Sequence, residues 1–554
     1  MIKLKRKNLK VLMTVVSVIF ICGIIYGLNK NRLSEDHSSI VITLDNENAV
    51  IESGSYNFED TGSETVTGIK SEDTIFTYEV LEKKEKIGTL TFIIRKIENG
   101  DQIVFSKFEN TSSDGKSIPI RIKLENTDDY QFYGFVDEEP VREHDKVFGK
   151  DFTSNVKGLY RMTKDDMHKY DLYVSQNYIS RELTMSYDDK HKSTLRELVS
   201  EDKYIDIQQG KDDLTLNLLL RTTDGGQISE NWFMFSKDQL FKDLDVLAQY
   251  KETTNYKFLH NPKWSTGNGN YTKLPWSIEP GTTLGYGRNL VALKDDTALE
   301  YYVNSKETFF YNMIINSVNN LLNFRASDNE LWKTEYTSTW LKKEYGIIAP
   351  YTDTRHNEKI ALFLTDAGKE LGIEEIEDSY LLYAEFLSEQ QNIDNVIETA
   401  NGYFIADYYS DKQTKKTHVS LNHALAEMNF LLETYKETSV EKYLNTALAI
   451  KVGVEETGLL WVNPSNGDLW YQINGDYTFE KEDYPTLTLD DLTVSLTLFK
   501  ELNIQYSSVL NELIKSKVAY VIESDIPINK STVTRLNELG LGDQLAGYDH
   551  IINY

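Results

Sequence analysis

A chain of 554 residues exceeds one typical hydrophobic core, so two or three domains are expected. The net charge of −28 argues against a broad basic face, and no nucleic-acid partner is predicted. Aromatic residues make up 12% of the chain, with 35 tyrosines. Such a surplus is as typical of a carbohydrate-binding cleft as of a tyrosine-rich core.

The N-terminus predicts a membrane anchor. Residues 1–10 carry five lysines and arginines and no acid, and residues 11–28 are mostly apolar and uncharged. This length is at the lower end for a spanning helix, and the basic flank predicts a cytoplasmic N-terminus. We interpret 11–28 as a transmembrane signal anchor and 29–50 as a polar stalk; a cleaved signal peptide is the alternative. The expected location is the cell membrane, single-pass, with the C-terminal part extracellular.

Disulfides cannot contribute to the folding of the remaining chain. The only cysteine, Cys22, lies inside the predicted anchor. An extracellular domain without cysteine suits the surface of a bacterial cell.

Residues 51–250 predict a β-rich domain. Short runs with strand composition, separated by turn residues, occur at 88–95, 102–108, 120–124, 172–174 and 214–220. They favour a β-sandwich-like module or two such modules. No metal-ligand cluster, phosphate loop or nucleophile motif stands out here, so a structural or carbohydrate-docking role is expected.

Residues 251–297 predict a bridging loop rich in glycine and aromatic residues. Three of the nine prolines of the chain fall in it. Its Gly-x-Gly runs lack the strand–helix context of a nucleotide-binding motif. Its aromatic and basic side chains are expected either to pack between domains or to line a groove: Trp264, Trp276, Tyr286 and Arg288.

From 298 to 554 the chain is predicted to be helical and repetitive. Apolar residues recur at three- and four-residue steps in 355–371, 417–435 and 488–502, and each of these runs precedes a second helical run at 380–391, 440–456 and 508–523. Asn357 and Asn422 are 65 residues apart, and Asn422 and Asp490 are 68 apart. Helix pairs at this period predict an α/α toroid or an open solenoid. The predicted fold class is therefore α+β multidomain, with N-terminal β-sandwich-like modules followed by a C-terminal α/α toroid.

Polar residues gather where the first two inner helices begin. Arg355, His356 and Glu358 open the first, and Asn422 and His423 lie in the first turn of the second. Because a helix N-terminus favours anions, an arginine and a histidine there predict a carboxylate-binding corner. A capped helix start with a solvated Arg–Glu pair is the alternative.

Three short motifs follow the order of a known family. They are Tyr408 and Tyr409 before Ser420-Leu421-Asn422, then Thr457-Gly458, then Asp483-Tyr484-Pro485-Thr486. In this order the chain resembles the catalytic domain of the D-glucuronyl C5-epimerase family over about 330–510. That resemblance implies N-terminal β-modules, a C-terminal α/α toroid and C5 epimerisation of a uronic acid within a polysaccharide.

The resemblance implies that Tyr484 is catalytic, and it points to Tyr408, with Tyr409 as the alternative. Proton abstraction next to a carboxylate needs a base, an acid on the opposite face and neutralisation of the developing charge. We therefore expect two opposing groups: Tyr484 with Lys481, and Tyr408 or Tyr409 with His418 or Glu427. The expected substrate-binding residues are Arg355, His356, Glu358, Asn422, His423, Lys481, Trp470 and Tyr471.

No metal or organic cofactor is required by this chemistry. The expected partners are a uronic-acid-containing polysaccharide and the membrane, and a homodimer is left open. A polysaccharide lyase begins with the same proton abstraction, and a glycoside hydrolase would need two carboxylates about 5 to 10 Å apart. A wall-polymer-binding protein without activity, using Trp461, Trp470 and Tyr471, is the non-enzymatic alternative.

Overall fold

A computed structural model describes residues 39–45, 49–136, 154–325, 327 and 330–553. Its strands are β1 (Ile40–Asp45), β2 (Ala49–Ser53), β3 (Asn57–Gly68), β4 (Ser71–Glu82), β5 (Glu85–Ile97), β6 (Gln102–Asn110), β7 (Ser117–Glu125), β8 (Asp129–Gly134), β9 (Gly158–Lys164), β10 (Met167–Val174), β11 (Asn177–Ser186), β12 (Lys192–Asp202), β13 (Ile205–Gln209), β14 (Asp213–Arg221), β15 (Gln227–Ser236), β16 (Lys263–Thr266), β17 (Gly269–Lys273), β18 (Ile278–Glu279), β19 (Gly285–Gly287), β20 (Thr337–Ser338), β21 (Thr352–Asp353), β22 (Val396–Glu398), β23 (Tyr403–Ile405), β24 (Tyr408–Tyr409), β25 (Val419–Ser420), β26 (Trp470–Ile473), β27 (Phe479–Glu482), β28 (Ile528–Asn529) and β29 (Ile552–Asn553).

The α-helices are α1 (Leu244–His260), α2 (Leu290–Leu293), α3 (Asp296–Ser305), α4 (Thr308–Phe324), α5 (Thr339–Tyr345), α6 (Thr354–Leu371), α7 (Glu374–Glu377), α8 (Tyr380–Glu389), α9 (Leu421–Thr438), α10 (Glu441–Thr457), α11 (Leu487–Glu501), α12 (Val509–Glu523) and α13 (Lys530–Glu538). Short 3₁₀ turns occur at Gly458–Trp461, Gly542–Leu545 and Asp549–Ile551.

Two sheets occupy the N-terminal part of the described chain. The smaller has five strands in the order β1-β2-β7-β14-β13. The larger has 13 strands, ordered β16-β17-β19-β12-β11-β15-β6-β5-β4-β3, with β10, β9 and β8 attached through β15. Apolar side chains of both sheets meet in one core, which includes Ile51, Ile122 and Leu216 from the small sheet and Phe92 and Phe233 from the large one.

Strand β15 explains how the large sheet is covered on both faces. All ten of its residues are buried. Successive side chains point to opposite faces of a strand. Accordingly Phe233 and Phe235 belong to the core shared with the small sheet, whereas Trp232 and Met234 belong to a second core with the helices. That second core includes Phe309 and other residues of α4 and α6.

The predicted fold class of β-sandwich-like modules followed by an α/α toroid is wrong in that form. The large sheet recruits β16, β17 and β19, which follow α1, and its outer face is buried by α4 and α6. Strands and helices therefore share a core, because β15 is apolar on both faces. Within 251–297, interpreted as a loop, the chain forms these strands, with Trp264 and Tyr286 buried in a small aromatic cluster.

The C-terminal helices form three pairs in a row. Helices α6, α9 and α11 lie side by side, and α8, α10 and α12 pack against them in turn. Leu421, Leu425, Met428 and Leu432 are buried along α9 at the predicted three- and four-residue steps. The polar residues between them, such as Asn422 and Glu427, are buried as well, so α9 is enclosed on all sides by the neighbouring helices and strands.

The predicted single-pass membrane location is not supported. Within the described ranges, no helix combines the length and apolar character needed to cross a bilayer. The predicted anchor, 11–28, lies outside the described residues.

Candidate active site

Short strands bring the N-terminal ends of α6, α9 and α11 together. Strand β21, just before α6, pairs with β24, so that Asp353 faces Tyr408. Strand β25, just before α9, pairs with β26, and β26 pairs with β27, which precedes α11. These two small sheets are connected through the Asp407 backbone, whose carbonyl accepts from Thr354 N–H at 3.0 Å and whose N–H donates to the His418 carbonyl at 3.2 Å. The three helix starts therefore share one polar region, although they lie far apart in the sequence.

The buried carboxylate of Asp407 is the centre of this region. It accepts a hydrogen bond from the Ser420 backbone N–H at 2.9 Å and another from the Ser420 hydroxyl. His418 Nε2 lies 3.3 Å from one carboxylate oxygen, and His423 Nδ1 lies 3.7 Å from the other. Burial alone would raise the pKa of Asp407, but the charges of His423 and His418 and these hydrogen bonds outweigh it and lower the pKa. Asp407 is therefore an anion that orients two histidines.

The two histidines differ in which ring nitrogens remain available to a ligand. In His418 both ring nitrogens are engaged, since Nδ1 lies 3.1 Å from the Tyr345 hydroxyl and Nε2 faces Asp407. In His423 only Nδ1 is engaged, 2.9 Å from the Thr354 hydroxyl. We assign the Nδ1–H tautomer to His423, because the Thr354 hydroxyl can accept that proton at 2.9 Å and the nearby Asp407 carboxylate, 3.7 Å away, favours a proton on this side of the ring. Its Nε2 is then an unprotonated nitrogen without a hydrogen-bond partner in the described chain.

The pKa of His423 also agrees with a neutral imidazole whose Nε2 is unprotonated. Burial lowers it below the usual value, and the nearby Asp407 opposes this shift without reversing it. A histidine that is neutral at pH 7 can accept a proton. His423, expected only as a substrate-binding residue, therefore has the features of a general base.

An aromatic rim, defined as Trp340, Tyr408, Tyr471 and Tyr484, lies beside these histidines. The Tyr471 and Tyr484 rings meet edge to face with centroids 5.7 Å apart, and Tyr408 and Trp340 do so at 6.2 Å. The His418 ring lies 6.0 Å from that of Tyr471 and 6.1 Å from that of Tyr408. Rings with one polar edge suit the faces of sugars.

Tyr484 is the most exposed member of the rim, with 50% of its surface accessible. Partial burial raises its pKa, and the negative charges of Asp353 and Asp407 raise it further. The phenol therefore stays protonated at neutral pH. Lys481, expected to help Tyr484 ionise, instead lies over the Trp340 ring with its Nζ 5.2 Å from the ring centroid. This environment makes Tyr484 a proton donor.

Arg355 is neutralised by two carboxylates. It donates to Glu358 at 2.9 Å and to both oxygens of Asp491 at 3.1 and 3.2 Å. Burial raises the pKa of Asp491 to about 7, although the charge of Arg355 opposes the shift. In the predicted carboxylate-binding corner, Arg355 is therefore already bound to Glu358 and Asp491.

Several buried polar atoms near these helix starts have no hydrogen-bond partner in the described structure. They are both carboxyl oxygens of Glu427, the Tyr383 hydroxyl, Arg355 Nε, His356 Nδ1 and Asn422 Oδ1. Burial, and then the charge of Asp407, raise the pKa of Glu427 well above its usual range. Native proteins rarely leave buried polar groups unsatisfied, and such groups concentrate at functional sites.

Lys517 was missed by sequence reasoning. It is fully buried on α12, and its Nζ contacts Asp468 at 2.6 Å, Asp483 at 2.8 Å and the Tyr484 carbonyl at 2.9 Å. This triad fixes the backbone that carries Tyr484. The signal in the sequence was a lysine among apolar residues at helical spacing, Leu513, Ile514, Val518 and Val521.

The other predicted residues lie around the same region. Tyr409 pairs with Thr352 through β24 and β21, and His356 Nδ1 lies 3.5 Å from Asp353. Trp470 is half-buried in β26 and packs against the helical core. Among the described residues, no group of three or more His, Cys, Asp and Glu side chains has the arrangement of a metal site.

Comparisons with known proteins name sugar enzymes at low similarity. No protein-family model and no curated protein sequence matches the chain. Among solved structures, a D-mannose isomerase aligns over 46% of this chain and 64% of its own length, with 15% identity and a TM-score of 0.32. A family 76 glycoside hydrolase from a bovine Bacteroides thetaiotaomicron strain aligns over 77% and 76%, with 10% identity and a TM-score of 0.37.

A cellobiose 2-epimerase from Bacillus thermoamylovorans B4167 aligns over 51% of this chain and 73% of its own, with 12% identity and a TM-score of 0.37. The similar structures are thus sugar isomerases, sugar epimerases and glycoside hydrolases. Similarity this low carries no argument about activity. The D-glucuronyl C5-epimerase resemblance stays a prediction.

Proposed function

We propose that this chain is a carbohydrate epimerase that removes and returns a proton at the carbon next to a carboxylate, on a uronic-acid-containing polysaccharide. The observation that carries the proposal is the pairing of a neutral base with a protonated phenol in one polar region. His423 is held by Thr354 and Asp407 with Nε2 unpartnered in the described chain, and Tyr484 is half-exposed on the aromatic rim.

The chemistry divides between these two groups. His423 Nε2 takes the proton from C5 of the hexuronate, and the electron pair of the broken C–H bond moves into the carboxylate as an enolate. The Tyr484 hydroxyl then delivers a proton to the opposite face of C5, which restores the carboxylate with inverted configuration. The proton on His423 returns to the Tyr484 phenolate through solvent, so the cycle closes without a net change.

Charge that develops on the carboxylate needs stabilisation at the same place. Helix α9 begins at Ser420 without a side-chain cap, because the Ser420 hydroxyl is bound to Asp407. Its first backbone N–H groups are therefore suited to an anion, as is usual for helix N-termini. His356, half-buried at the start of α6, adds a second donor.

A glycoside hydrolase is the second candidate, on one observation. The pKa of Asp491, raised to about 7 chiefly by burial, gives a carboxyl that is partly protonated at neutral pH. Such a group can act as the general acid of glycoside cleavage. Its engagement with Arg355 makes this the weaker candidate.

The test is proton exchange by the full chain. The protein is incubated in D₂O with heparosan-type, alginate and pectate polysaccharides, and NMR follows deuterium at C5. We expect incorporation without shortening of the polymer. We also expect the Tyr484→Phe variant to lose inversion at C5 by about 10² to 10⁴, while His423 still exchanges the proton on its own face.

Tyr506→Phe, a change of another partly exposed tyrosine, is the matched control and should retain the exchange rate. An ultraviolet-absorbing unsaturated product would identify a lyase instead. New reducing ends without unsaturation would identify a hydrolase. Full inversion at C5 by the Tyr484→Phe variant would remove Tyr484 from the mechanism.

A further inference from the structure

A separate cavity lies where the large sheet meets α1 and the segment 291–297. Its volume is about 320 Å³, which is within the range of small-molecule sites. None of the residues assigned above to catalysis lines it. Its walls come from β10, β11, β15, β16, α1 and the segment around α2.

Aromatic side chains form most of the apolar wall. They are Tyr173, Tyr178, Trp232, Tyr250 and Trp264. They are buried and tied together by ring contacts, such as Tyr173 with Trp232 at 5.7 Å. Such a wall suits a ligand with a flat or ring-shaped body.

One group in this wall lacks a partner. Trp264 is only 2% exposed, and its Nε1 has no hydrogen-bond acceptor among the residues described. Its two faces are covered by stacked rings, Tyr178 at 5.4 Å and Tyr271 at 5.5 Å, so only the edge of the indole can meet the cavity. Indole Nε1–H is a donor only. A ligand of this cavity is therefore expected to carry a hydrogen-bond acceptor for Trp264 Nε1.

Lysines surround the same cavity. Lys257, Lys263 and Lys294 line it. The two acids that also line it are engaged locally: Asp295 caps α3 by accepting from the Ala298 N–H at 3.0 Å, and Asp296 pairs with Lys294. Burial, and then neighbouring lysines, lower the pKa of Lys294 to about 8. The three lysines and two aspartates of the lining leave an excess of one positive charge, in a chain whose net charge is −28. The Lys294 ammonium also has three N–H donors, of which the pair with Asp296 uses one, so the lining is suited to an anion.

We propose that this cavity binds a small organic carboxylate with a ring-shaped body, the acceptor oxygens bound by Trp264 Nε1 and Lys294 and the ring held against the aromatic wall. This site is independent of the proposed activity, because its residues differ from those of the epimerase proposal.

The test is ligand titration of the full chain, followed by tryptophan fluorescence and by calorimetry. The probes are D-glucuronate and benzoate, and their neutral counterparts are D-glucose and benzyl alcohol. We expect saturable binding of at least one carboxylate, at least tenfold tighter than its neutral counterpart. Equal affinity of the charged and neutral probes, or no saturable binding of either carboxylate, would overturn the proposal.

Variants locate the site. Trp264→Phe keeps the ring and removes the donor, so it should weaken binding about tenfold, the effect of one hydrogen bond. Val291→Phe, which fills the cavity from a less buried position, should abolish binding if Trp264→Phe fails to fold. Trp276→Phe, on a tryptophan that is 52% exposed and does not line the cavity, is the matched control.

Tyr484→Phe should bind benzoate with unchanged affinity, because benzoate is not a hexuronate and does not report on the proposed substrate site. A failure of Tyr484→Phe to invert C5 would then leave the inference about the cavity intact. Unchanged affinity in both Trp264→Phe and Val291→Phe would place the ligand elsewhere and contradict it.

Discussion

Two buried arginines, one in the large sheet and one at a helix start, differ in how completely they are paired. Arg95, on β5, donates to both oxygens of Asp73 at 2.8 Å and to the side chains of Asn316 and Asn320 at 2.6 and 2.9 Å. Arg355, at the start of α6, pairs with two carboxylates but leaves Nε without a partner among the described residues.

This difference indicates that Arg95 has a structural role, whereas the groups around Arg355 can still bind a ligand. The network of Arg95 joins the large sheet to α4 and is complete, so nothing further can bind there without breaking it. Around Arg355 the unpartnered Glu427, Tyr383 and Asn422 lie in the same part of the helical core. Buried polar groups that are fully paired specify a fold, and groups that are left partly unpaired point to function.

The largest expected effect concerns His423. Replacing it with glutamine removes the proposed base, so C5 proton exchange should fall by about 10² to 10⁴. His191→Gln is the matched control, since His191 is also buried but both its ring nitrogens are paired, with Asp188 at 2.8 Å and Asp411 at 3.0 Å. Exchange measured by NMR should separate the two variants. A similar loss in both would attribute the effect to folding.

The next effect distinguishes two buried cations. Arg95→Met and Lys517→Met each leave buried carboxylates without a counter-ion and should each lower the free energy of unfolding by about 3 to 5 kcal/mol. Urea unfolding measures this loss. Only Lys517→Met should also slow inversion at C5 per folded molecule, because Lys517 holds the Tyr484 carbonyl. An equal loss of inversion in Arg95→Met would contradict the role of Lys517 in supporting Tyr484.

A smaller, pH-dependent effect is expected at Glu427. Its pKa in the folded protein is raised by burial, so the stability associated with its protonated form is present below the unfolded pKa of about 4.3 and is lost as the pH rises through the folded pKa. Glu427→Gln should therefore be more stable than the wild type at pH 8, by about 1 to 3 kcal/mol. The two proteins should have similar stability near pH 4. A constant difference across pH would show that Glu427 has a partner in solution.

The smallest effect is expected for an exposed ion pair on the sheet. Lys70 Nζ lies 2.9 Å from Glu98, with 28% and 48% of the two side chains accessible. Lys70→Met should change the free energy of unfolding by only about 0 to 1 kcal/mol, because solvent screens such pairs. The same urea measurement provides the reference for Arg95→Met. A loss as large as that of Arg95→Met would mean that exposure does not separate the two ion pairs.

The local pattern of the sequence predicted the elements better than the way they assemble. The helical runs at 355–371, 417–435 and 488–502 correspond to α6, α9 and α11, and the strand at 214–220 lies within β14. Periodicity is a property of neighbouring residues, so these elements could be found without the fold. The sandwich followed by a toroid failed because the two faces of β15 pack against different parts of the chain, Phe233 against the small sheet and Trp232 against helices that come later in the sequence.

Part of the candidate site could also be predicted from the sequence. Tyr408, His418, Tyr471 and Tyr484 were expected near one another and lie around Asp407. Lys481 was expected beside Tyr484 from the family resemblance, but Lys481 has a positive φ of 66° at the end of β27 and lies over Trp340. Backbone direction at that turn, and not spacing, decided its partner.

The sequence by itself determined the helical runs, many of the strands and the polar residues at the helix starts, because each depends on residues that are close along the chain. Only the tertiary structure decided that Asp407 holds two histidines, that Arg355 is neutralised by Asp491 and that Lys517 supports Tyr484. These contacts join distant segments, and their burial sets the protonation of His423 and Tyr484 on which the proposed chemistry depends.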